Sequence, residues 1–171
     1  MNSNIFKRYE ALNIDTSLIG LEKTKGESYF CVPKGAVIFA GLGVDGVQFC
    51  FIEGFKDMVF IISPEAINEK FINPVSNNFE EFLGLILACK NANPIEQIYW
   101  TRRSNFLKFL ADDIKYVTQE QEEVLQLIER ELGIKPISNP YDFVKKIQEE
   151  FDYGKIQYSD EYYDVLGCER F

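Results

Sequence analysis

Three short apolar runs lie close together in the first half of the chain: residues 36–40 (AVIFA), 47–52 (VQFCFI) and 58–62 (MVFII). They are rich in Val, Ile and Phe and are joined by links that contain Gly and Asp, a pattern typical of strands and hairpins. The links of six residues (41–46) and five residues (53–57) are too short for parallel crossovers. We therefore expect adjacent antiparallel strands, and because both faces are apolar, a sheet covered on more than one side.

Helical periodicity replaces this pattern after Ser63-Pro64. Asn77 or Asn78 can cap a helix, Thr118-x-x-Gln121 resembles a capping box, and Asn139-Pro140 supplies a cap and a first-turn proline. Gly133 is a natural helix end. The predicted helices span 2–12, 79–90, one or two segments within 94–111, from Thr118 to about Leu132, and from Pro140 to about Phe151. A short strand over 155–158 (KIQY) and a last helical turn, capped by Ser159 and ending at Gly167, complete the prediction.

The pattern predicts an α+β fold, with an antiparallel sheet centred on residues 36–62, packing helices and a helical acidic C-terminal extension. A length of 171 residues suits one domain over 1–171, with a hinge at 111–120. No run of 18 apolar residues occurs, and the first residues lack the apolar core of a signal peptide. We expect a cytoplasmic protein that does not enter the membrane.

Charge is unevenly distributed along the chain. The formal net charge is −9; residues 1–111 carry 11 Lys/Arg against 12 Asp/Glu, and residues 112–171 carry 7 against 15. The last 60 residues therefore hold −8 of the total. Such a surface repels nucleic acid and speeds association with a basic partner, although it can also serve only for solubility.

The chain contains no histidine, and this excludes Ser-His-Asp and Cys-His nucleophile sites and histidine metal ligands. The four cysteines, Cys31, Cys50, Cys89 and Cys168, are widely spaced and include no C-x-x-C. We expect free structural thiols rather than a disulfide framework.

Gly41, Gly43 and Gly46 spell G-x-G-x-x-G, the dinucleotide-binding fingerprint, and Glu65 follows Gly46 by 19 residues. That fingerprint requires a helix to begin at the glycines, because helix amides and the helix dipole hold the pyrophosphate. Here VQFCFI follows Gly46 and favours a strand. The motif is better interpreted as a hairpin turn without a cofactor, with Asp45 either bonding turn amides or exposed as a contact residue.

Three stretches resemble the core of the SUKH superfamily, which includes the fungal Smi/Knr cell-wall regulators: FAGLGVDGVQFCFIEGF, MVFIISP and NPVSNNFEEFLGLILAC. The resemblance covers residues 36–110, and the tail FDYGKIQYSDEYYDVLG is similar to C-terminal extensions of bacterial members. One departure is Gln48, where relatives often have a histidine, so no role of that side chain is transferred. The resemblance implies a binding protein without catalytic residues, in bacteria an immunity protein that neutralises a polymorphic toxin, often a nuclease.

Two groups of residues are candidate partner contacts, together with Asp45. Trp100, Arg102 and Arg103 combine an aromatic ring with two guanidinium groups, as interface anchors often do; alternatively Trp100 lies in the core and both arginines on a helix surface. The second group is the acidic, tyrosine-containing segment Asp160, Glu161, Tyr162, Tyr163 and Asp164. Asp160 and Asp164 would share a helix face, but EF-hand spacing is absent and we expect no metal.

The leading hypothesis is a non-catalytic immunity protein that binds a basic toxin domain, without nucleic acid, metal or cofactor. The alternative is a regulatory or scaffolding module of the Smi/Knr type. A carboxylate-based enzyme is less favoured; Asp45 and Glu53 would be its first candidate pair, since glycoside hydrolysis requires two carboxylates.

Overall fold

The three apolar runs form neighbouring strands of an antiparallel sheet, and a fourth strand follows them. The structure is a computed structural model that describes residues 4–24, 28–66 and 70–169. Within these residues the sheet has the order β1-β2-β3-β4, with every pair antiparallel. The strands are β1 Ala36–Gly41, β2 Gln48–Ile52, β3 Val59–Ile62 and β4 Ile72–Ser76. The predicted antiparallel pairing is confirmed, whereas β4 (INPVS) was not predicted.

Seven α-helices accompany this sheet in the described part of the chain, so the predicted α+β class is confirmed. They are α1 Asn4–Glu10, α2 Phe79–Cys89, α3 Asn93–Trp100, α4 Arg103–Asp113, α5 Gln119–Leu132, α6 Pro140–Glu150 and α7 Asp160–Leu166. The predicted helix over 2–12 is shorter, and its residues 2 and 3 lie outside the described residues. None of the described helices is long and apolar enough to span a bilayer.

Both faces of the sheet are covered, as the sequence predicted, because every residue of β2, β3 and β4 is buried. On one face, Phe49, Phe51 and Ile61 pack with α1, α2 and the buried residues of α3 to α6. On the other face, Cys50, Phe60 and Ile62 pack with chain segments rather than with a layer of long helices. These segments are residues 29–32 and 151–158, together with Tyr162 of α7.

The segment 155–158 is not a strand, contrary to prediction. Residues Tyr153–Lys155 form a 3-10 turn in which the Asp152 carboxylate accepts a hydrogen bond from Gly154 N–H (3.1 Å). Tyr158 forms only an isolated bridge to Pro33. The aspartate favours this local turn, since its side chain competes for backbone amides that a strand would use.

The four cysteines are free, as predicted; Cys31, Cys50 and Cys89 are buried and Cys168 is exposed. Burial raises the pKa of the Cys31 thiol to about 11 and that of Cys89 to about 12. These two thiols are therefore protonated at neutral pH and serve as small apolar groups in the core.

The predicted caps are confirmed at Asn78, Thr118 and Ser159, each of which accepts a backbone N–H at the start of its helix. Asn139 makes no such bond, and α6 begins at Pro140 without a side-chain cap. At α5 only half of the capping box forms. Thr118 Oγ1 accepts Gln121 N–H (3.2 Å), but the buried Gln121 side chain donates to Lys90 C=O (2.7 Å) and so ties α5 to the end of α2.

Thr118→Ala should lower the free energy of unfolding by about 1 kcal/mol, because the exposed end of α5 loses its side-chain acceptor. Thr118→Ser keeps a hydroxyl at the cap and is the control. Urea denaturation of both variants measures the effect. Equal losses in the two variants would show that the hydroxyl cap does not stabilise α5.

Candidate functional site

Gly41, Gly43 and Gly46 belong to the hairpin between β1 and β2. Leu42 N–H donates to Val47 C=O (3.0 Å), and Val47 N–H donates to Val44 C=O (3.1 Å). The chain continues directly into β2, and no helix begins at Gly46. The hairpin prediction is confirmed, and the helix start that a dinucleotide fingerprint needs is not present in this described segment.

The glycines are required by backbone angle and by close packing. Gly43 and Gly46 have φ of +76° and +65°, and Asp45 between them has +51°. A Cβ at Gly46 would lie 2.6 Å from the hydroxyl oxygen of Tyr29, and one at Gly43 would lie 2.9 Å from Cγ of Glu22. The residues 22 and 29 therefore press against the turn that the motif forms, which accounts for both glycines by protein packing alone.

Gly46→Ala should destabilise the protein more than Gly133→Ala does. Both positions have a similar positive φ, +65° and +72°, so each alanine costs about 1–2 kcal/mol of backbone strain. Only Gly46 also faces an aromatic ring, whereas a Cβ at Gly133 meets nothing within 4 Å. Chemical denaturation compares the two losses. Equal losses would contradict the close packing of Tyr29 on the turn.

The tip of this hairpin lies beside α3. Val44 (55% exposed) and Asp45 are at the tip, and Asp45 acts electrostatically on Glu96 of α3. Burial, and secondarily the Asp45 charge, raise the pKa of the Glu96 carboxyl. Trp100 follows Glu96 by one helical turn and so lies on the same side of α3. We call Val44, Asp45, Glu96 and Trp100 the hairpin-tip surface.

Trp100 is 53% exposed, so the interpretation that placed its ring in the core is wrong. The neighbouring arginines differ from each other. Arg103 Nε donates to both carboxylate oxygens of Asp142 (3.0 and 3.1 Å) and so connects α4 to α6. Arg102 is exposed and has no ion pair within the described residues. Trp100 and Arg102 are therefore exposed without an ion pair in the described part of the chain, whereas Arg103 is exposed but already paired with Asp142.

Glu96→Gln should make the protein more stable than wild type at neutral pH. The raised folded-state pKa of Glu96 means that the folded protein holds the carboxyl proton more tightly than the unfolded chain does. Stability is therefore lost as pH rises from the ordinary value of 4.5 through the raised pKa. Glu96→Gln should raise the free energy of unfolding at pH 7 by less than about 1 kcal/mol, a figure discounted for its partial exposure.

This gain should vanish near pH 4, where the Glu96 carboxyl is protonated in both states. Denaturation at a series of pH values measures it. The exposed Glu149, which has no ion pair within the described residues, provides the control Glu149→Gln. A gain from Glu96→Gln that does not change with pH would contradict the raised pKa.

The second predicted group lies on α7, which aromatic stacking holds against the other face of the sheet. The rings of Tyr158 and Tyr162 stack at 3.8 Å between centroids, and Tyr162 also contacts Phe30 and Phe71. Tyr162 is thus an inward anchor, and Tyr163 is half-buried beside it. Burial raises the pKa of the Tyr158 hydroxyl, so this ring stays neutral at physiological pH.

The remaining α7 side chains point to solvent. Asp160, Glu161 and Asp164 are exposed, and Val165 and Leu166 are 58% and 42% exposed. We call these five residues the α7 surface. Its two apolar members, Val165 and Leu166, were not predicted from the sequence as contact residues. The sequence feature that could have indicated them is their position at the end of a short helix whose inward side is already occupied by tyrosine.

The structure therefore divides the predicted contact residues between two places. The hairpin-tip surface lies on α3, whose Ile95 and Ile98 pack on the first face of the sheet. The α7 surface is anchored by Tyr162 on the second face.

Asp45 and Glu53 cannot form a carboxylate pair, since they lie at opposite ends of β2. The five residues of that strand span roughly 17 Å, whereas paired glycosidase carboxylates are about 5–9.5 Å apart. Glu53 instead lines a cleft of about 730 Å³ together with charged residues, among them Lys34 and Glu150, and with apolar residues, among them Phe151. Lys155 pairs with Asp152 (3.6 Å) at its rim.

Metal ligands do not converge in the described residues: no group of three or more Cys, Asp or Glu there could hold an ion. Asp160 and Asp164, which share a side of α7, form no such group. Comparison with protein-family models, curated proteins and solved structures found no match to the chain.

Proposed function

We propose that this chain is a non-catalytic binding protein of the immunity type, which neutralises a basic toxin domain by direct contact through the α7 surface. The main support for this proposal is the orientation of α7. Its tyrosine is fixed in the aromatic cluster on the sheet while three carboxylates and two aliphatic side chains face solvent. The resemblance of residues 36–110 and 151–167 to SUKH proteins supports the same function.

Preorganisation makes this surface suited to binding. An acidic side chain on a flexible tail loses conformational entropy when a partner orders it, and that cost reduces affinity. Here the stack of Tyr158 on Tyr162 and the Ser159 cap order the helix before any partner arrives. Three carboxylates within five residues then supply the field that speeds the approach of a cationic surface, and Val165 and Leu166 supply apolar area.

The excess negative charge of the last 60 residues strengthens that field. Acidic residues on α5, such as the exposed Glu120, Glu123 and Glu129, add to the long-range potential without belonging to the α7 surface. Long-range charge is screened over a Debye length of about 8 Å at physiological salt, so only close carboxylates determine the short-range fit. Mutations of the α7 carboxylates should therefore affect binding more than mutations of acidic residues elsewhere in the last 60 residues.

The experiment expresses the tagged chain together with the product of each neighbouring gene and tests which product co-purifies and which is toxic alone. A neighbour that binds the chain, and whose toxicity the chain relieves, is the expected result. Binding of a non-toxic neighbour would instead identify the regulatory module. The immunity proposal is wrong if no neighbour both binds and is toxic without this protein.

Charge reversal on α7 should weaken that complex. Asp160→Lys, Glu161→Lys and Asp164→Lys in one variant should lower the association rate constant at low salt by roughly tenfold or more. The control variant carries the same charge change on α5, Glu120→Lys, Glu123→Lys and Glu129→Lys; it alters one first-turn acid of its helix, whereas the α7 variant alters two. Surface plasmon resonance measures both. Equal effects of the two variants would show that net charge, and not the α7 surface, mediates binding.

A further inference from the structure

Exposed apolar side chains are concentrated on two surfaces of the described chain. Nine large apolar residues are exposed there; Val37 lies on β1, Val44 and Trp100 belong to the hairpin-tip surface, and the others form two groups. Two belong to the α7 surface. The other four lie on α4 and on the 3-10 turn after it, and we call them the α4 surface: Leu107, Phe109, Ile114 and Tyr116.

The apolar residues exposed on α4 lie on both sides of its buried residue and do not form one face, because residues two positions apart on a helix point about 200° apart. Phe106 is the only residue of α4 that is fully buried, while Leu107 and Phe109 remain 43% and 40% exposed. Leu107 and Leu110 also line a groove of about 390 Å³ between α4 and residues 136–140. Its other apolar walls include Leu87, Ile137 and Pro140, and the charged side chains of Lys90, Arg103 and Asp142 also line it. By volume, the groove can receive one or two aliphatic side chains from outside.

The two surfaces carry opposite charge. Residues 100–116 contain four cations against two carboxylates, on a chain whose net charge is −9. Arg103 and Lys115 are paired with Asp142 and Asp112, which leaves Arg102 and Lys108 without an ion pair in the described residues. Residues 160–166 contain three carboxylates and no cation. Both surfaces thus present apolar side chains, with positive charge beside them on the α4 surface and negative charge beside them on the α7 surface.

We propose that two copies of this chain associate head to tail, with the α7 surface of one copy docked on the α4 surface of the next. Val165 and Leu166 enter the groove beside Leu107, and the acidic side chains of α7 approach Arg102 and Lys108. This is the helix-in-groove mode of recognition. The proposal goes beyond the proposed function and does not depend on it.

Such a contact is heterologous, since it joins two different surfaces. Each copy therefore keeps one free α4 surface and one free α7 surface at the ends of an assembly. Association is expected to continue beyond a dimer as concentration rises, unless the rotation between copies closes a ring. It should also weaken at high salt, because the Debye length falls from about 10 Å at 0.1 M to about 3 Å at 1 M.

Sedimentation velocity of the full chain tests the proposal, in reducing buffer so that the exposed Cys168 forms no crosslink. The wild-type protein should show reversible association as its concentration rises to roughly 1 mM, the weak end of specific binding. Leu107→Asp removes the acceptor surface and Val165→Asp removes the donor surface. Both positions are exposed, so the variants should fold, which their thermal melts check. Val37→Asp, at a residue 56% exposed on neither surface, is the matched control.

Mixing the two variants gives the decisive result. Each variant alone should sediment as a monomer, but the equimolar mixture should form a 1:1 dimer and nothing larger. The intact α7 surface of the Leu107 variant can dock on the intact α4 surface of the Val165 variant, and no further surface remains. A monomeric wild type, a mixture that stays monomeric, or equal loss of association in Val37→Asp would overturn the proposal.

Discussion

The central strands of the sheet are apolar on both faces, and the rest of the architecture follows from the need to cover each of them. Every residue of β2 and β3 is buried, so a single helical layer would leave Cys50, Phe60 and Ile62 in water. Burial of such side chains stabilises the fold by roughly 1.5–3 kcal/mol each. The helices cover one face, and the chain must return after α6 to cover the other.

That return determines where the proposed contact surface on α7 lies. Residues 151–158 cross the second face with Phe151, Tyr153 and Ile156 turned inward, and Tyr153 is held by Lys70 over its ring (3.3 Å) and by a hydrogen bond to Asn73 (3.1 Å). The carboxylates in this part of the chain are left exposed to solvent.

If α7 contacts both a basic partner and the α4 surface of another copy, the two binding events compete. Self-association would then keep α7 covered until a partner of higher affinity binds.

Local chemistry explains which elements could be predicted. The caps at Asn78, Thr118 and Ser159 and the turn at Asp45-Gly46 depend on residues within a few positions, and the structure contains all of them. Strand β4 was missed because Pro74 and its polar neighbours give a poor strand pattern. Its outer side packs on α6, where Gln148 donates to Pro74 C=O (3.4 Å), a contact that no local pattern encodes. The same holds for Glu96, whose pKa is raised first by its burial in the fold and then by the charge of the distant Asp45.

Amide hydrogen exchange, measured with and without the co-purifying gene product, tests whether a partner binds α7, the helix that aromatic residues hold against the second face of the sheet. We expect slower exchange at the amides of residues 159–166 in the complex and unchanged exchange at the two hairpin turns, 41–46 and 53–57. Slower exchange at either hairpin turn with no change in α7 would contradict this expectation.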